Sequence, residues 1–283
     1  MAAANPDLPP TAAYPGGGVQ LPRWRQEIGR WLVTLAGIAI FLAMWTGAAA
    51  VMPESRLVSP VRAAEDLVAN FIFSPRLDVF GLGDAGYGLL TLYTLENVLM
   101  GLSAGAAIGI VLGIASVFVR PLRAAIDPIV LVMGTAPVLV AAPLFLLWFG
   151  IVPFTQVLLV AFYSAVMMVL FSQKAVENLD PIYERSAMTF GATLSRRLWH
   201  VFIPGSIPEI LGGLRITLAS AWGLEVFAEI LGAPSGIGQA IKALTNLNNV
   251  SGLLACVAIV AIVAIATDAL LVLLVGRITR WAR

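Results

Sequence analysis

From Pro128 to Gln173 the chain runs 46 residues without a formal charge. A helix rises about 1.5 Å per residue and a bilayer's hydrocarbon core is about 30 Å thick, so this run is about twice the length of one crossing. Its middle, Phe149 to Gln156, carries Gly150 and Pro153, which predicts a turn between a third and a fourth membrane helix. Four other stretches have membrane length: Trp31 to Pro53, and the regions of about Leu92 to Val119, Ile207 to Leu231 and Gly252 to Val275. Of 283 residues, 59% are hydrophobic and 12% charged, too few charges to cover a soluble surface. The expected class is an all-α integral membrane protein with about six transmembrane helices.

Between these runs the local chemistry is specific. Residues 1–30 begin with a Pro/Gly-rich stretch and are expected to be a flexible N-terminal tail ahead of a membrane domain spanning 31–283. Val61 to Phe73 has the pattern of an amphipathic surface helix. The glycine-rich stretch from Gly81 to Gly86 predicts a loop and not a dinucleotide site, because no βαβ pattern surrounds it. In the second span Gly101, Gly105, Gly109 and Gly113 recur every four residues, a stripe that lets another helix backbone approach closely. In the third, Pro137 and Pro143 break the backbone ladder at membrane depth, which is tolerated where backbone is buried in protein or lines a cavity. Gly232 to Val250 is expected outside, with a short helix near Gly238 to Leu247. With both termini inside, twelve Lys or Arg fall in inner segments and four in outer ones, and Arg215 lies inside the fifth span.

The segment Asp180 to Glu209 stands out as charged and structured between apolar runs. Asp180 suits an N-cap, Pro181 the first helical position, and Gly191 a left-handed stop. Thr193 is expected to cap a second short helix ended by Pro204, and Ser206 to Glu209 to form a capping box opening the fifth span.

Ser186, Ala187, Gly191, Val201 and Pro204 fall on the pattern Glu-Ala-Ala, three residues, Gly, nine residues, Ile-x-Leu-Pro. By these residues the segment resembles the EAA loop of ABC-importer permease subunits. The family's acidic position falls on Arg185, with Glu184 one place before it, and its Leu-Pro is Ile203-Pro204. From about Leu92 to the C-terminus the chain is similar to permeases for nitrate, bicarbonate, sulfonates and taurine. The pieces that carry this are Ala136-Pro137 through Pro143, Leu147 to Gly150, Gly213-Leu214-Arg215, Ala228-Glu229 and Ser235 to Gly238. Asn97 stands where many members have Arg.

The resemblance implies a type I ABC-importer permease architecture in a bacterial cytoplasmic (inner) membrane, multi-pass, with both termini cytoplasmic. It implies a cytoplasmic ATPase-coupling loop over about 174–206, with Glu184, Arg185, Ser186, Ala187, Gly191 and Pro204 as coupling residues. The implied partners are an ABC ATPase subunit, a periplasmic or lipid-anchored substrate-binding protein, and a second permease chain in a homodimer. Membrane lipid surrounds it and no nucleic acid is expected. The solute would be small, anionic or sulfonate-like.

The chain's own chemistry agrees with a transport subunit. Its lysines, Lys174 and Lys242, follow Gln173 and Ile241, so no phosphate-binding Gly-Lys-Ser/Thr exists. ATP and magnesium would sit on the partner, with no cofactor on this chain. One cysteine and one histidine make a zinc site an unfavourable expectation. The candidate pathway residues are Thr135, Pro137 and Pro143 on the third helix, and Arg215, Trp222 and Glu229 on the fifth. Glu225 and Glu229 lie four apart on one face, with Glu229 expected to hydrogen-bond to the following loop and Arg215 to pair with Asp268. Two other classes compete. An ion-driven secondary transporter would use the membrane carboxylates. An integral membrane enzyme would have to draw on Glu209, Glu225, Glu229, Asp268 and His200, which no catalytic spacing links.

Overall fold

In a computed structural model of the protein, residues 23–82, 85–135 and 138–278 are described. The chain divides into two compact units, Met1–Val51 and Met52–Arg283. In the first, α1 (Arg23–Val51) is one continuous helix whose segment Trp31–Val51 has the length and composition of a span. Arg23 already belongs to this helix, so α1 begins within the stretch expected as tail. Residues 1–22, the rest of that tail, lie outside the described residues.

The second unit is helical throughout its described elements. Two short helices open it, α2 (Pro60–Ala69) and α3 (Pro75–Asp78). Ser59 caps α2 and Pro60 takes its first turn, as first-turn chemistry favours. Then come α4 (Tyr87–Phe118), α5 (Arg120–Thr135), a 3₁₀ turn at Val138–Val140, α6 (Ala142–Phe149) and α7 (Pro153–Glu177). Gly150 at φ 82° and Pro153 in the first turn of α7 form the turn expected at that place. After it follow α8 (Pro181–Thr189), α9 (Leu194–Arg197), a π-helical turn at Leu198–Phe202, α10 (Ile203–Leu231), α11 (Ile237–Asn246) and α12 (Val250–Ile278).

Five helical stretches are long and apolar enough to cross a membrane. A sixth span is counted if Arg120–Gly134 and Val138–Phe149, bent by 85°, make one broken crossing. The bend flanks Pro137, which itself lies outside the described residues. The fold is that of an all-α membrane protein with five to six long apolar helices, consistent with the type I ABC permease fold.

The packing centre is the seam between α4 and α7. A Cβ added at Gly105 would lie 2.2 Å from the Ala161 carbonyl oxygen, and at Gly109 2.4 Å from that of Ala165. At Gly101 it would meet the Val160 side chain at 2.6 Å, and at Gly113 the Val169 carbonyl at 2.7 Å. The glycine stripe therefore faces a second four-residue ladder on α7, Val160, Ser164, Met168 and Ser172, and the α4 backbone lies directly against the α7 carbonyls and the Cβ atoms of that ladder. In lipid, where apolar surface alone gives helices no reason to associate, such close packing is a main source of cohesion. α10 packs against the other side of α7, and α11 and α12 close one end of the bundle over Tyr87 and Leu90.

Two expectations about the start of the fifth span are corrected. Pro204 does not end a helix: the helix runs unbroken from Leu194 to Leu231. The π-helical turn explains this. The Ile203 N–H donates to Leu198 O, one residue further back than an α-helical bond. The wider turn carries the preceding carbonyls away from the proline ring, so the helix passes through Pro204 without its N–H. Ser206 and Glu209 likewise form no capping box. The Ser206 hydroxyl donates to the Phe202 and Ile203 carbonyls, while Glu209 accepts from Asn178 Nδ2 at 2.7 Å, across at the C-cap of α7.

The seam yields a direct test. Gly105→Leu should remove most of the monodisperse protein recovered in detergent, measured by fluorescence size-exclusion chromatography. Gly212→Ala, where the added atom meets nothing within 4 Å, serves as the tolerated control. Equal recovery of both would dismiss the seam as the packing centre.

Candidate functional site: a coupling loop and a buried polar cluster

The segment after α7 is built as its residues dictate. Asp180 accepts from the Ile182 N–H at 2.9 Å and Pro181 opens α8. At the other end Gly191 sits at φ 71°. Its N–H donates to Met188 O at 2.9 Å and that of Ala192 to Ala187 O at 3.0 Å, the paired bonds of a Schellman stop. Thr193 precedes α9 without a side-chain capping bond. Glu184 pairs with Arg197 at 2.6 Å, tying α8 to the start of the long helix. Arg185, Ser186 and Gly191 are exposed, and Glu184, Ala187 and Pro204 partly so. His200 is exposed, with Nδ1 3.1 Å from Arg196 O.

One feature of this loop was not anticipated. Ile182, Tyr183, Met188, Phe190, Leu194 and Trp199 are all exposed, Phe190 at 89%. Such a set, spread over α8, its C-cap, α9 and the π-helical turn, marks an interaction surface. The available signal was that these large apolar residues interrupt a polar loop at a spacing no single helix face accommodates.

Among the described residues, the candidate pathway residues do not gather at one place. Thr135 ends α5 with its side chain outside the described residues, and Pro137 lies outside them altogether. Pro143 is exposed in the first turn of α6. Arg215 makes a bidentate pair with Asp268, at 2.8 and 2.7 Å. Trp222 is 3% exposed, its indole N–H donating to Thr267 Oγ1 at 3.3 Å. Arg215 and Trp222 thus share a face, seven residues apart, and that face lies on α12 at the adjacent residues Thr267 and Asp268.

Glu229 is fully buried and belongs to a polar cluster where α4, α7, α10 and α11 meet. Its Oε1 accepts from Thr94 at 2.7 Å and its Oε2 from the Gly238 N–H at 2.8 Å. The Gln239 side chain donates to its backbone carbonyl. Thr94 in turn accepts from the Ile237 N–H at 3.1 Å. Glu229 and Thr94 therefore satisfy the free N–H groups that open α11, supplying from elsewhere in the chain what a local cap would. Gly236 and Gly238 are small because the carboxylate lies against them: a Cβ at Gly236 would sit 2.1 Å from Oε1.

One turn back, Glu225 is equally buried. Its Oε1 accepts from Asn97 Nδ2 at 2.9 Å, and the same amide donates to Gln156 Oε1 at 3.1 Å. The Tyr93 hydroxyl donates to that Gln156 oxygen at 3.2 Å. Tyr93, Thr94 and Gln156 carried no marked role in the sequence. The legible signal was their polarity inside apolar spans, with Asn97 three residues after Thr94. Thr94→Val should lower stability by about 1–3 kcal/mol, the cost of leaving a buried polar group short of a partner. Thermal unfolding of the purified protein followed by intrinsic fluorescence reads this, and an unchanged midpoint would count against the capping role of the pair.

A helical membrane bundle with a structured, exposed loop between its spans is an architecture that suits the membrane subunit of a transporter. Residues 105–280 match the family described as binding-protein-dependent transport system inner membrane component. Over 224 residues the chain is 30% identical to the taurine transport system permease protein TauC of Escherichia coli (strain K12), covering 78% of this chain and 79% of that one. It is 27% identical over 234 residues to the nitrate import permease protein NrtB of Synechococcus elongatus, covering 82% of each. A crystal structure of an amino acid ABC transporter with histidines shares the fold, with a TM-score of 0.57 at 16% identity over 69% of this chain and 92% of that one. The chain belongs to this family and is a transmembrane permease subunit of an ABC importer. Permease subunits of this kind carry no ATPase site of their own.

Proposed function

We propose that two copies of this chain, with two ATPase subunits and an extracytoplasmic binding protein, import a small anionic or sulfonate-like solute. The observation that carries this reading is α8: a capped, exposed helix with an apolar surface, held by Glu184–Arg197 on the helix that continues to Glu229. The ATPase would grip α8 through the segment of about 174–206, with Glu184, Arg185, Ser186, Ala187, Gly191 and Pro204 shaping the contact. Closure of the ATP-bound motor pair would then move α8 and α10 together. The solute class rests on relatives named for taurine and nitrate.

The remaining parts follow from this frame. Both termini face the cytoplasm; the tail gives way to α1 at Arg23, and residues 31–283 act as the membrane domain. A cavity of about 590 Å³ bounded by Glu54, Glu65, Asp66, Arg76, Asn248 and Asn249 lies on the opposite, outer side, where its charged rim suits a docking binding protein. Thr135, Pro137, Pro143, Arg215, Trp222 and Glu229 border the route on the third and fifth spans.

Two experiments test the reading. Gly191→Val forces a β-branched residue into left-handed backbone. In proteoliposomes holding the whole complex it should cut binding-protein-stimulated ATP hydrolysis by about tenfold, the effect of about 1.4 kcal/mol, while membrane insertion persists. Full stimulation by the variant would remove α8 from coupling. For orientation, single cysteines replacing Asp78 and Arg196, with Cys256 changed to Ala, should be labelled from outside and inside respectively. Labelling of both from one side would overturn the topology.

A further inference from the structure

From Lys174 to Glu209 the chain carries four carboxylates, and each is engaged within the chain. Glu177 pairs with Arg123 and Lys174, and Glu184 with Arg197. Asp180 accepts from the Ile182 N–H and Glu209 from Asn178 Nδ2. The basic side chains are not used up in the same way. Arg185 and Arg196 are exposed, and among the described residues neither has an acidic partner. Each stands one residue from an arm of the Glu184–Arg197 pair, so the bridge that ties α8 to the long helix also fixes the backbone that carries them.

An exposed arginine is ordinarily solvated and contributes little. These two share faces with large apolar side chains. On α8, the exposed Ile182 and Met188 stand three residues before and after Arg185, the spacing of helical neighbours. On the long helix the exposed Trp199 stands three residues after Arg196. A partner that covers these apolar groups takes both guanidiniums out of water with them. A charge carried into an interface without a counter-charge costs more than an exposed pair contributes. No carboxylate of this segment is left to supply the counter-charge, so the partner's surface must.

We propose that the surface of α8 and α9 is matched to an ATPase groove with an apolar floor and an acidic rim, and that Arg185 and Arg196 select that motor by charge. This rests on the importer reading above and names the surface chemistry of its motor subunit. The pattern this loop resembles has Glu where Arg185 stands, so the charge offered to the motor is reversed. A groove with a basic rim, suited to a carboxylate at that place, meets like charges here and is refused. Selection against a wrong motor thus comes from repulsion as much as from fit.

The test is binding of the purified ATPase subunit to the full-length permease in nanodiscs of phosphatidylcholine, a zwitterionic lipid, followed by interferometry. Affinity for the wild type should fall about tenfold or more between about 0.05 and 0.5 M salt, because attraction between exposed charges is screened. Arg185→Gln and Arg196→Gln should each weaken binding about threefold, and Arg185→Glu and Arg196→Glu about tenfold or more. Lys242→Glu, a charge reversal on α11, should leave binding unchanged. Replacing a carboxylate of the motor's rim by lysine should restore binding to Arg185→Glu. Wild-type affinity in the paired Arg185→Glu, Arg196→Glu variant, or affinity independent of salt, would overturn the acidic rim. So would a loss seen only in discs that contain phosphatidylglycerol, which assigns the arginines to the lipid surface. Gly191→Val separates the two levels. If it loses stimulated hydrolysis while charge reversal changes nothing, α8 still couples and only the selection by charge falls; if neither has an effect, the coupling reading falls with it.

Discussion

The contact between α4 and α7 is the interaction on which the rest of the bundle depends. Burial from water holds a soluble core together, but a bilayer removes that driving force between spans. What remains is dispersion between surfaces that fit, and it falls off steeply once a gap opens. Four glycines on α4 let its backbone touch the carbonyls of Ala161, Ala165 and Val169. Ser164 and Ser172 lie in the same seam, where their hydroxyls find no partner. Small size at those two positions outweighs the loss, since a larger apolar residue would push the helices apart.

Polar groups then fix what close packing leaves free. Packing along a uniform glycine ladder tolerates slippage by one four-residue step. The cluster of Thr94, Asn97, Gln156, Glu225 and Glu229 does not, because each bond pairs one particular residue on α4 with one on α7 or α10. The same cluster sets the start of α11 by meeting its opening N–H groups. Buried polar networks of this sort specify register more than they add stability.

The spans were legible because charge is so strongly excluded from hydrocarbon, and their order follows from runs such as Pro128 to Gln173. The Asp180 cap, the Gly191 stop and the Arg215–Asp268 pair were also visible, since each depends on chemistry local to a residue type. The misjudged points depended on the backbone or side chains around a residue rather than on its own type. Pro204 reads as a terminator until the π-helical turn before it moves the clashing carbonyls. Glu209 reads as a cap until Asn178, 31 residues earlier, is placed beside it. Asn97 reads as a departure from a family pattern until Gln156 and Glu225 are brought to it from two other helices. Periodicity marks which face is apolar, but not which of several polar residues meet.

The correction at Pro204 changes how the two functional regions relate. Were the chain broken there, the loop and the fifth span would be separate bodies joined by a flexible link, and a push on α8 would dissipate at the joint. Instead 38 residues from Leu194 to Leu231 form one helical stretch, about 57 Å long at 1.5 Å per residue. Glu184–Arg197 clamps α8 to one end of it, and Glu225 and Glu229 stand near the other. A continuous helix of this length links α8 to the carboxylates more directly than a chain broken at Pro204 would. Its irregular points, the π-helical turn and the prolines Pro204 and Pro208, lie toward the loop rather than at the buried cluster. Irregular backbone is thus placed beside the exposed loop, and regular helix where Glu225 and Glu229 must meet Asn97, Thr94 and the start of α11.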